Sequence, residues 1–364
     1  MKRFSLLRMA AVVLAAASAM FSVQSASACT GISFTARDGS FVIGRTMEWG
    51  PFVMDSRYMV VPRGHSMIAQ TPSGVNGMKI VAKYGYVGIG VLEDNLLAEA
   101  VNEKGLMGEL FYFPNYGKYE DYDPVNNATT MADAQFLSWV IGRFATIAEM
   151  EKEINNIHVV AYGKGFGTAH FRLADATGRQ VVVEYIDEKL HIFEDKIGVI
   201  TNAPSFDWHM TNLNNYINIF AGPTESRTVA GVTLQQIGAG AGALGLPGDL
   251  TPPSRFVRAV FFTHTARPQA TGYDAVMQTF QILNNFDIPV GAEFSDPAKM
   301  PDMLSATQWT TAVDLKSMKF YYRTMFNSTI RCIDLKTIDF GKVKYQMSDL
   351  DKRKQQPIEY IRIQ

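Results

Sequence analysis

Runs in which apolar residues alternate with polar ones predict β-strands in the first third of the chain. Such runs cover residues 29–36 and 41–49 and flank Asp38-Gly39, a pair that favours a tight hairpin turn. Two further strand-like runs, 84–92 and 96–113, are expected to continue the same sheet, the second folding back at residues 102–105. The folded part of the chain is therefore expected to begin with a β-sheet.

The middle of the chain shows helical spacing, and its end returns to strands. Helices are predicted over residues 131–145, 146–157, 207–220, 254–265 and 272–285. Thr146 and Glu149 have the spacing of a capping box at the start of the second helix. Strands are predicted between residues 169 and 201, with turns at 175–178 and 187–189, and over 305–315, 318–326 and 329–335. Helices and strands grouped in blocks indicate an α+β fold without βαβ winding.

The first 28 residues have the pattern of a secretory signal peptide. Lys2, Arg3 and Arg8 precede a short apolar run over residues 9–17, and a small-x-small cleavage site lies at residues 26–28. The apolar run is too short for a membrane-spanning helix. Removal of residues 1–28 would leave a single exported domain, residues 29–364, that begins with a cysteine.

Composition narrows the classes of function. The chain has 34 Lys and Arg against 35 Asp and Glu, and no basic cluster suited to nucleic acid occurs in the sequence. The six histidines form neither an HExxH motif nor a Cys/His cluster, so we expect no metal. Gly238, Gly240 and Gly242 lack the βαβ surroundings of a dinucleotide site, so we expect no cofactor. The expected partner is a small molecule, with no nucleic acid and no membrane span after signal removal.

Cys29 permits three interpretations. It could form a disulfide with Cys332, the other cysteine, although one bridge would add little to a chain of this length. It could carry a lipid anchor, although Ala26 stands where that signal normally has leucine. It could also be an N-terminal nucleophile, whose thiol attacks a carbonyl while its own α-amine, with a pKa of ~7.7–8.0, takes the proton. Cys332 lies in an alternating run that predicts a small buried side chain.

Five short motifs carry a family resemblance. In chain order they are Cys-Thr-Gly at 29–31, Gly-Arg-Thr-Met-Glu-Trp at 44–49, Asn-Glu-Lys-Gly-Leu at 102–106, Thr-Asn-Ala-Pro-Ser-Phe at 201–206 and Pro-Ser-Arg-Phe at 253–256. Together they resemble the choloylglycine hydrolase family of N-terminal nucleophile hydrolases, which includes bile salt hydrolases and penicillin V acylases. The resemblance implies a four-layer αββα sandwich, hydrolysis of non-peptide amide bonds and a homotetramer. The exported form resembles the Gram-negative penicillin V acylases.

The resemblance also implies catalytic roles. Cys29 would be the nucleophile and, through its amine, the base. Arg45 would favour the thiolate by its positive charge, and Arg255 would close the charge network. Glu48 stands where the family usually has Asp, so its longer side chain would have to fold back to hold the amine.

Two further catalytic positions follow from the same resemblance, and the aromatic residues that flank the catalytic positions in the sequence indicate a substrate pocket. Asn202 and the backbone N–H of Tyr112 would stabilise the oxyanion. Tyr112 stands where penicillin acylases carry Tyr and bile salt hydrolases carry Asn, and with Trp49 it would line an aromatic pocket. We therefore expect an amidase that cleaves penicillin V and acyl-homoserine lactones through a thioester. Conjugated bile salts are the alternative substrate, and a lipid-anchored or binding protein of the same fold is the non-enzyme alternative.

The register of the first hairpin bears on these roles, and the sequence leaves it open. A two-residue turn would place Cys29 opposite Glu48 and direct Arg45 to the other face of the sheet. A three-residue loop would pair Ser33 with Arg45 and place Arg45 on the Cys29 face. A bulge at Gly44 could reconcile the two registers.

Overall fold

The computed structural model describes residues 28–49, 53–92, 96–163, 167–293 and 306–363. The predicted signal peptide lies outside these residues except for Ala28, so its prediction stays a prediction. No helix within the described ranges combines the length and the apolar character needed to cross a membrane.

Within the described residues, two large sheets form the centre of the molecule. The first is the six-stranded sheet, in which antiparallel neighbours follow the order β14-β1-β2-β17-β18-β19. Its strands are β1 (Cys29–Thr35), β2 (Phe41–Trp49), β14 (Val199–Ile200), β17 (Ala306–Asp314), β18 (Lys319–Thr324) and β19 (Asn327–Asp334). The central strand β17 is buried along its whole length because both faces of the sheet are covered.

The second is the eight-stranded sheet, with the order β13-β12-β11-β8-β7-β6-β3-β20. Its strands are β3 (Ser56–Val61), β6 (Tyr86–Val91), β7 (Leu97–Asn102), β8 (Met107–Tyr112), β11 (Ala169–Ala174), β12 (Gln180–Ile186), β13 (Lys189–Glu194) and β20 (Gln346–Asp349). Short strand pairs lie outside both sheets: β4 (Ser66–Ile68) with β5 (Lys79–Val81), β9 (Thr130–Ala132) with β10 (His158–Val160), and β15 (Arg227–Val229) with β16 (Val232–Leu234).

Five α-helices occur in the described residues. They are α1 (Phe136–Arg143), α2 (Ile147–Glu151), α3 (Phe206–Asn212), α4 (Pro252–Thr265) and α5 (Gly272–Leu283). Proline occupies the first turn of α4, where its fixed φ suits the helix and no N–H is needed. The Thr271 hydroxyl caps α5 by accepting a hydrogen bond from Asp274 N at 3.2 Å.

The layers stack as helix, sheet, sheet, helix. Helices α4 and α5 pack on the six-stranded sheet, and α1 packs on β7 and β8 of the eight-stranded sheet. The cluster that spans the sheets includes Ile43 and Phe111, the cluster beneath α1 includes Leu137 and Leu173, and the cluster beneath α5 includes Phe280. The predicted four-layer αββα sandwich is thus confirmed.

The structure corrects several details of the predicted elements. The strands from residues 84–113 do not continue the first sheet but belong to the eight-stranded sheet. The segment 131–145 enters α1 only at Phe136, after strand β9 and a 3-10 turn, and the segment 146–157 forms the short α2. The Thr146 hydroxyl accepts from Glu149 N as predicted, but the Glu149 carboxylate accepts from Ala145 N in place of Thr146 N. The capping box is therefore only half formed.

Cys332 is exposed, against the prediction of a buried side chain. It lies on β19, the edge strand of the six-stranded sheet, where one face of the strand meets solvent. Both Cys29 and Cys332 are free thiols, and Cys29 is buried. The disulfide interpretation has no support in this arrangement.

The first hairpin adopts neither of the two registers considered. Its loop has three residues, 37–39, and Ala36 N donates to Ser40 O across the loop at 2.8 Å. Gly39 closes the loop at φ +81°, a conformation that side chains rarely adopt. Cys29 therefore faces Met47, and Gly31 faces Arg45.

Because directly opposed residues share a face, this register places the Arg45 side chain on the Cys29 face and Glu48 on the other. The pairing of β1 with β2 is regular at Gly44, so no bulge there is needed to reconcile the registers, and the irregularity next to β2 lies on β17, between Thr307 and Trp309.

Candidate active site

Cys29 is the first residue of β1 and only 2% exposed. Its Sγ lies 3.8 Å from Met47 Sδ, and its backbone N donates to Asn202 Oδ1 at 2.9 Å. Ala28 is joined to this nitrogen in the chain as described, so the group is a peptide N–H. Burial raises the pKa of the Cys29 thiol, and the positive charge of Arg45 opposes that rise.

Arg45 is fully buried and spans the gap between the sheets. From β2 its Nη1 donates to the carbonyl oxygens of Ala98 at 3.0 Å and Leu110 at 2.6 Å, both in the eight-stranded sheet region. The guanidinium lies 4.2 Å from the centre of the Phe111 ring. Met47 Sδ lies 4.0 Å from Arg45 Nη2 and 3.8 Å from Cys29 Sγ, so the thioether contacts both groups. The arginine therefore acts on the thiol through its field.

Glu48 lies on the opposite face of β2 from Arg45 and is equally buried. Its Oε1 accepts from Thr307 Oγ1 at 2.9 Å, and its backbone N donates to Ala28 O at 2.9 Å. Burial raises the pKa of the Glu48 carboxyl to about 8, against the opposing pull of Arg255. The nitrogen of Cys29 bonds to Asn202 in this structure, so a hydrogen bond between the cysteine amine and Glu48 stays a prediction.

Asn202 and Arg255 join Cys29 from two other elements. Asn202 follows β14, and its Oδ1 accepts both from Cys29 N and from Arg255 Nη2 at 2.7 Å. Arg255, in the first turn of α4, donates through Nη1 to Cys29 O and, at 2.9 Å, to Thr30 Oγ1. One amide and one guanidinium thus fix the backbone on both sides of the Cys29 α-carbon.

Tyr112 directs its backbone polar groups towards Asn202. Phe113 N donates to Thr168 O at 2.7 Å, so alternation along an antiparallel strand directs the N–H and C=O of Tyr112 away from β11. Tyr112 O accepts from Asn202 Nδ2 at 2.8 Å, so the backbone polar groups of Tyr112 face Asn202. The N–H of Tyr112 and the second hydrogen of Asn202 Nδ2 consequently lie on the same side of the strand.

The side chains of Tyr112 and Trp49 meet edge to face. Their ring centres are 6.1 Å apart with an angle of 78° between the planes, and both side chains are partly exposed. The Tyr112 ring packs on Gly167, where a Cβ atom would come within 2.3 Å of it. An aromatic surface therefore adjoins the polar cluster around Cys29.

A layer of buried charges behind Arg45 was missed by the sequence analysis. Glu99 faces Glu109 across β7 and β8, Arg172 faces Glu109 across β8 and β11, and all three side chains are buried. Arg172 Nε donates to Glu109 Oε2, and Thr311 Oγ1 donates to Glu99 Oε2 at 3.0 Å. The sequence feature that could have revealed this layer is Glu99 within the apolar run Leu-Leu-Ala-Glu-Ala-Val. A glutamate fits a buried strand only if its carboxyl has partners.

Replacement of Glu99 with glutamine should change how stability depends on pH. Burial raises the pKa of Glu99, Arg45 opposes the rise and Glu109 adds to it. As the pH climbs above the ordinary value of 4.5, the unfolded chain releases this proton while the folded chain keeps it, so the wild type loses stability. The loss is at most ~1.4 kcal/mol per pH unit. Glutamine resembles the protonated carboxyl and cannot titrate.

We therefore expect Glu99→Gln to gain melting temperature relative to the wild type as the pH rises from 4 to 8. The exposed Glu225→Gln is the matched control and should show a constant difference. A Glu99→Gln advantage that stays flat over this pH range would contradict the protonated, buried carboxyl.

No group of three or more His, Cys, Asp or Glu side chains that could hold a metal ion occurs among the described residues. The site is built from a thiol, backbone groups, one amide, two arginines and a carboxyl.

The sequence is similar to a family of amide hydrolases and to several of its members. The model of the family described as linear amide C-N hydrolases, choloylglycine hydrolase family, matches residues 29–351. A bile salt hydrolase/transferase of Clostridium perfringens is 30% identical over 324 residues, which cover 87% of this chain and 95% of that protein. A penicillin V acylase of Pectobacterium atrosepticum is 27% identical over 323 residues, covering 82% of this chain and 78% of that protein.

Solved structures agree as well. A mutant of the conjugated bile acid hydrolase from Clostridium perfringens matches with a TM-score of 0.79 and 28% identity, covering 92% of this chain and 100% of that one. The penicillin V acylase from Agrobacterium tumefaciens matches with a TM-score of 0.71 and 25% identity, covering 89% of this chain and 92% of that one. The chain therefore belongs to the choloylglycine hydrolase family of linear amide C–N hydrolases and is an enzyme that hydrolyses amides.

Proposed function

We propose that the mature enzyme begins at Cys29 and uses this residue as both nucleophile and base. The observation that carries the proposal is the bonding of the Cys29 backbone. Its nitrogen is held by Asn202, and its carbonyl oxygen by Arg255. A free amine at this nitrogen would lie beside its own sulfur. The match to the family model, which starts at residue 29, supports the same starting point.

The proposed reaction proceeds in two steps. As Sγ attacks the acyl carbon, the neutral amine takes the thiol proton, and the resulting ammonium passes that proton to the leaving nitrogen when the C–N bond breaks. Water then attacks the thioester while the same amine takes one of its protons, and the ammonium returns that proton to Sγ as the C–S bond breaks and the carboxylic acid leaves. An α-amine suits this task because its ordinary pKa of ~7.7–8.0 lies near neutral pH.

Charge that develops on the substrate oxygen needs donors. The Tyr112 N–H and the second Asn202 Nδ2 hydrogen lie on one side of β8, and we propose that they form the oxyanion hole. Arg45 and Arg255 add two buried positive charges that counter the cost of ionising a thiol in this setting.

Burial of Cys29 supports the enzyme over the lipid-anchored alternative. A lipid on Sγ would need the space that Met47 fills at 3.8 Å. We propose secretion to the periplasm with cleavage after Ala28. Intact-mass analysis of the exported protein tests both points, since an unmodified chain starting at Cys29 is expected and an acylated one would contradict the proposal.

The substrate class follows from the aromatic pair. Trp49 and Tyr112 offer an edge-to-face surface beside the nucleophile, which suits an aryloxyacyl group such as that of penicillin V. The apolar acyl chain of an acyl-homoserine lactone would use the same surface. Conjugated bile salts are the second candidate, because the Clostridium perfringens relative that is 30% identical is named a bile salt hydrolase/transferase.

Comparison of kcat/KM for penicillin V, an acyl-homoserine lactone and glycocholate decides between these substrates. We expect penicillin V to be preferred over glycocholate by about tenfold or more, equivalent to ~1.4 kcal/mol of transition-state binding. Trp49→Ala should weaken the preference, and Trp208→Ala, which removes a half-exposed tryptophan on α3, is the matched control. A tenfold preference for glycocholate would assign the enzyme to bile salt hydrolysis.

We further propose assembly as a homotetramer. Apolar side chains are exposed along the hairpin of β15 and β16, including Val229, Val232 and Leu234. Burial against another copy would remove this surface from water. Light scattering during size-exclusion chromatography measures the mass, and a monomer would contradict this assembly.

A further inference from the structure

Two buried histidines contact consecutive backbone carbonyl oxygens at the segment that carries Asn202. His170 Nε2 lies 3.1 Å from Thr201 O, and His209 Nε2 lies 2.9 Å from Asn202 O. A carbonyl oxygen only accepts hydrogen bonds, so both Nε2 atoms must carry hydrogen. Both side chains are almost fully buried, at 1% and 2% exposure.

The contacts define the protonation of His209. With hydrogen on Nε2, the other ring nitrogen of a neutral imidazole has a lone pair, and Nδ1 has no hydrogen-bond partner among the described residues. Burial lowers the pKa of His209 to about 4, so the ring is neutral near neutral pH. His209 thus offers a single fixed donor, directed at Asn202 O.

His170 is held on its other side by a carboxylate. Its Nδ1 lies 2.9 Å from Glu184 Oε1, and Glu184 also accepts from Phe206 N at 3.0 Å. The histidine and the glutamate form a hydrogen-bonded pair. His170 Nε2 extends this pair to the carbonyl of Thr201, and Glu184 anchors it on β12. The segment is therefore fastened to the eight-stranded sheet.

Each imidazole ring also stacks on a phenylalanine that directly follows a residue of the site in the sequence. His209 stacks on Phe256 at 4.6 Å, and Phe256 follows Arg255 in α4. His170 stacks on Phe113 at 4.4 Å, and Phe113 follows Tyr112. The two rings thus relate the segment 201–202 to α4 on one side and to β8 on the other.

From these contacts we infer that His209 and His170 are positioning residues that hold Asn202 in place against Cys29 and Tyr112. Neither histidine touches the reacting atoms, and both act through the backbone of residues 201–202. This inference rests on the proposed function, in which Asn202 binds the oxyanion and contacts the Cys29 nitrogen. Displacement of such a group by about 1 Å can reduce turnover ~100-fold.

Two variants of His209 separate the hydrogen bond from the packing. His209→Phe keeps a ring to stack on Phe256 but has no donor, and His209→Gln keeps an N–H at a similar reach but has no ring. We expect kcat of His209→Phe to fall by about 10- to 100-fold with KM within about threefold, and His209→Gln to retain most of kcat. His209→Leu replaces the phenylalanine variant if that variant does not fold.

His264→Leu is the matched control. His264 Nε2 contacts Ile197 O at 2.8 Å, the same kind of bond, but its side chain is exposed and its partner is the carbonyl of residue 197 and not that of residue 201 or 202. The kcat of His264→Leu should therefore equal that of the wild type. Retained kcat in His209→Phe would overturn the inference, and so would a larger loss in His209→Gln than in His209→Phe, which would indicate packing alone.

A second measurement does not depend on amide hydrolysis. In a Cys332→Ala background, the rate of Cys29 alkylation by iodoacetamide at pH 7 should change at least threefold in His209→Phe and stay the same in His209→Gln and His264→Leu. An enzyme without amidase activity but with this pattern would refute the proposed function and keep the positioning role. An unchanged alkylation rate in His209→Phe would overturn the positioning role itself.

Discussion

A chain that keeps one residue in front of Cys29 should hydrolyse amides ~10²–10⁴-fold more slowly than a chain that begins at Cys29. An acylated nitrogen has no basic lone pair, and a positioned general base contributes ~10²–10⁴-fold. Ala28 is also buried at the site, and its carbonyl oxygen is bonded to Glu48 N. Measurement of kcat/KM on both forms, each verified by intact mass, tests the self-base mechanism.

Two cysteine variants accompany this measurement. Cys29→Ala should be inactive, whereas Cys332→Ala should keep full activity and nearly unchanged stability because its side chain is exposed. Equal activity of the extended and processed forms would exclude the α-amine as the base, even with Cys29 as the nucleophile.

Asn202→Leu should lower kcat by ~10²–10³-fold, the usual effect of removing one oxyanion donor. The substitution is close in volume, but it removes the acceptor for Cys29 N and for Arg255 as well as the donor to Tyr112 O. KM should change much less because the aromatic surface of Trp49 and Tyr112 remains. Steady-state kinetics with the preferred amide, together with the melting temperature, provide the test.

The exposed Asn215→Leu is the control for this substitution and should behave as the wild type. A loss in Asn202→Leu that appears entirely in KM would indicate that Asn202 binds the substrate in its ground state and does not act selectively on the transition state.

Local pattern was sufficient for much of the secondary structure. The strand predicted over 41–49 has the bounds of β2, and the helix predicted over 254–265 differs from α4 only at its first turn. The division into two sheets was not visible locally, because β2 pairs with β17 across more than 250 residues, as Glu48 opposite Thr307 shows. Only the family resemblance supplied the layered architecture.

For the site, the sequence indicated which residues lie together, but it did not indicate the strand register or the face on which each side chain lies. Cys29, Asn202 and Arg255 come together as the motif order suggested, although their catalytic roles remain predictions. The number of residues in the loop, three instead of two, decided the face of Arg45, and a difference of one residue in a loop leaves no mark on the apolar pattern. The exposure of Cys332 depended on β19 being an edge strand, which is a property of the whole sheet.

The loop over residues 37–39 has a consequence for how this enzyme can vary. Its length places Arg45 and Cys29 on the face towards the eight-stranded sheet and Glu48 on the face towards the helices. An insertion or deletion of one residue there that shifted the pairing of β2 by one position would exchange the two sets, moving a buried guanidinium to the helix side and a carboxyl to the sulfur side. Natural variation in this hairpin should therefore occur by substitution at Arg37 and Asp38, while the number of residues between Cys29 and Arg45 stays constant.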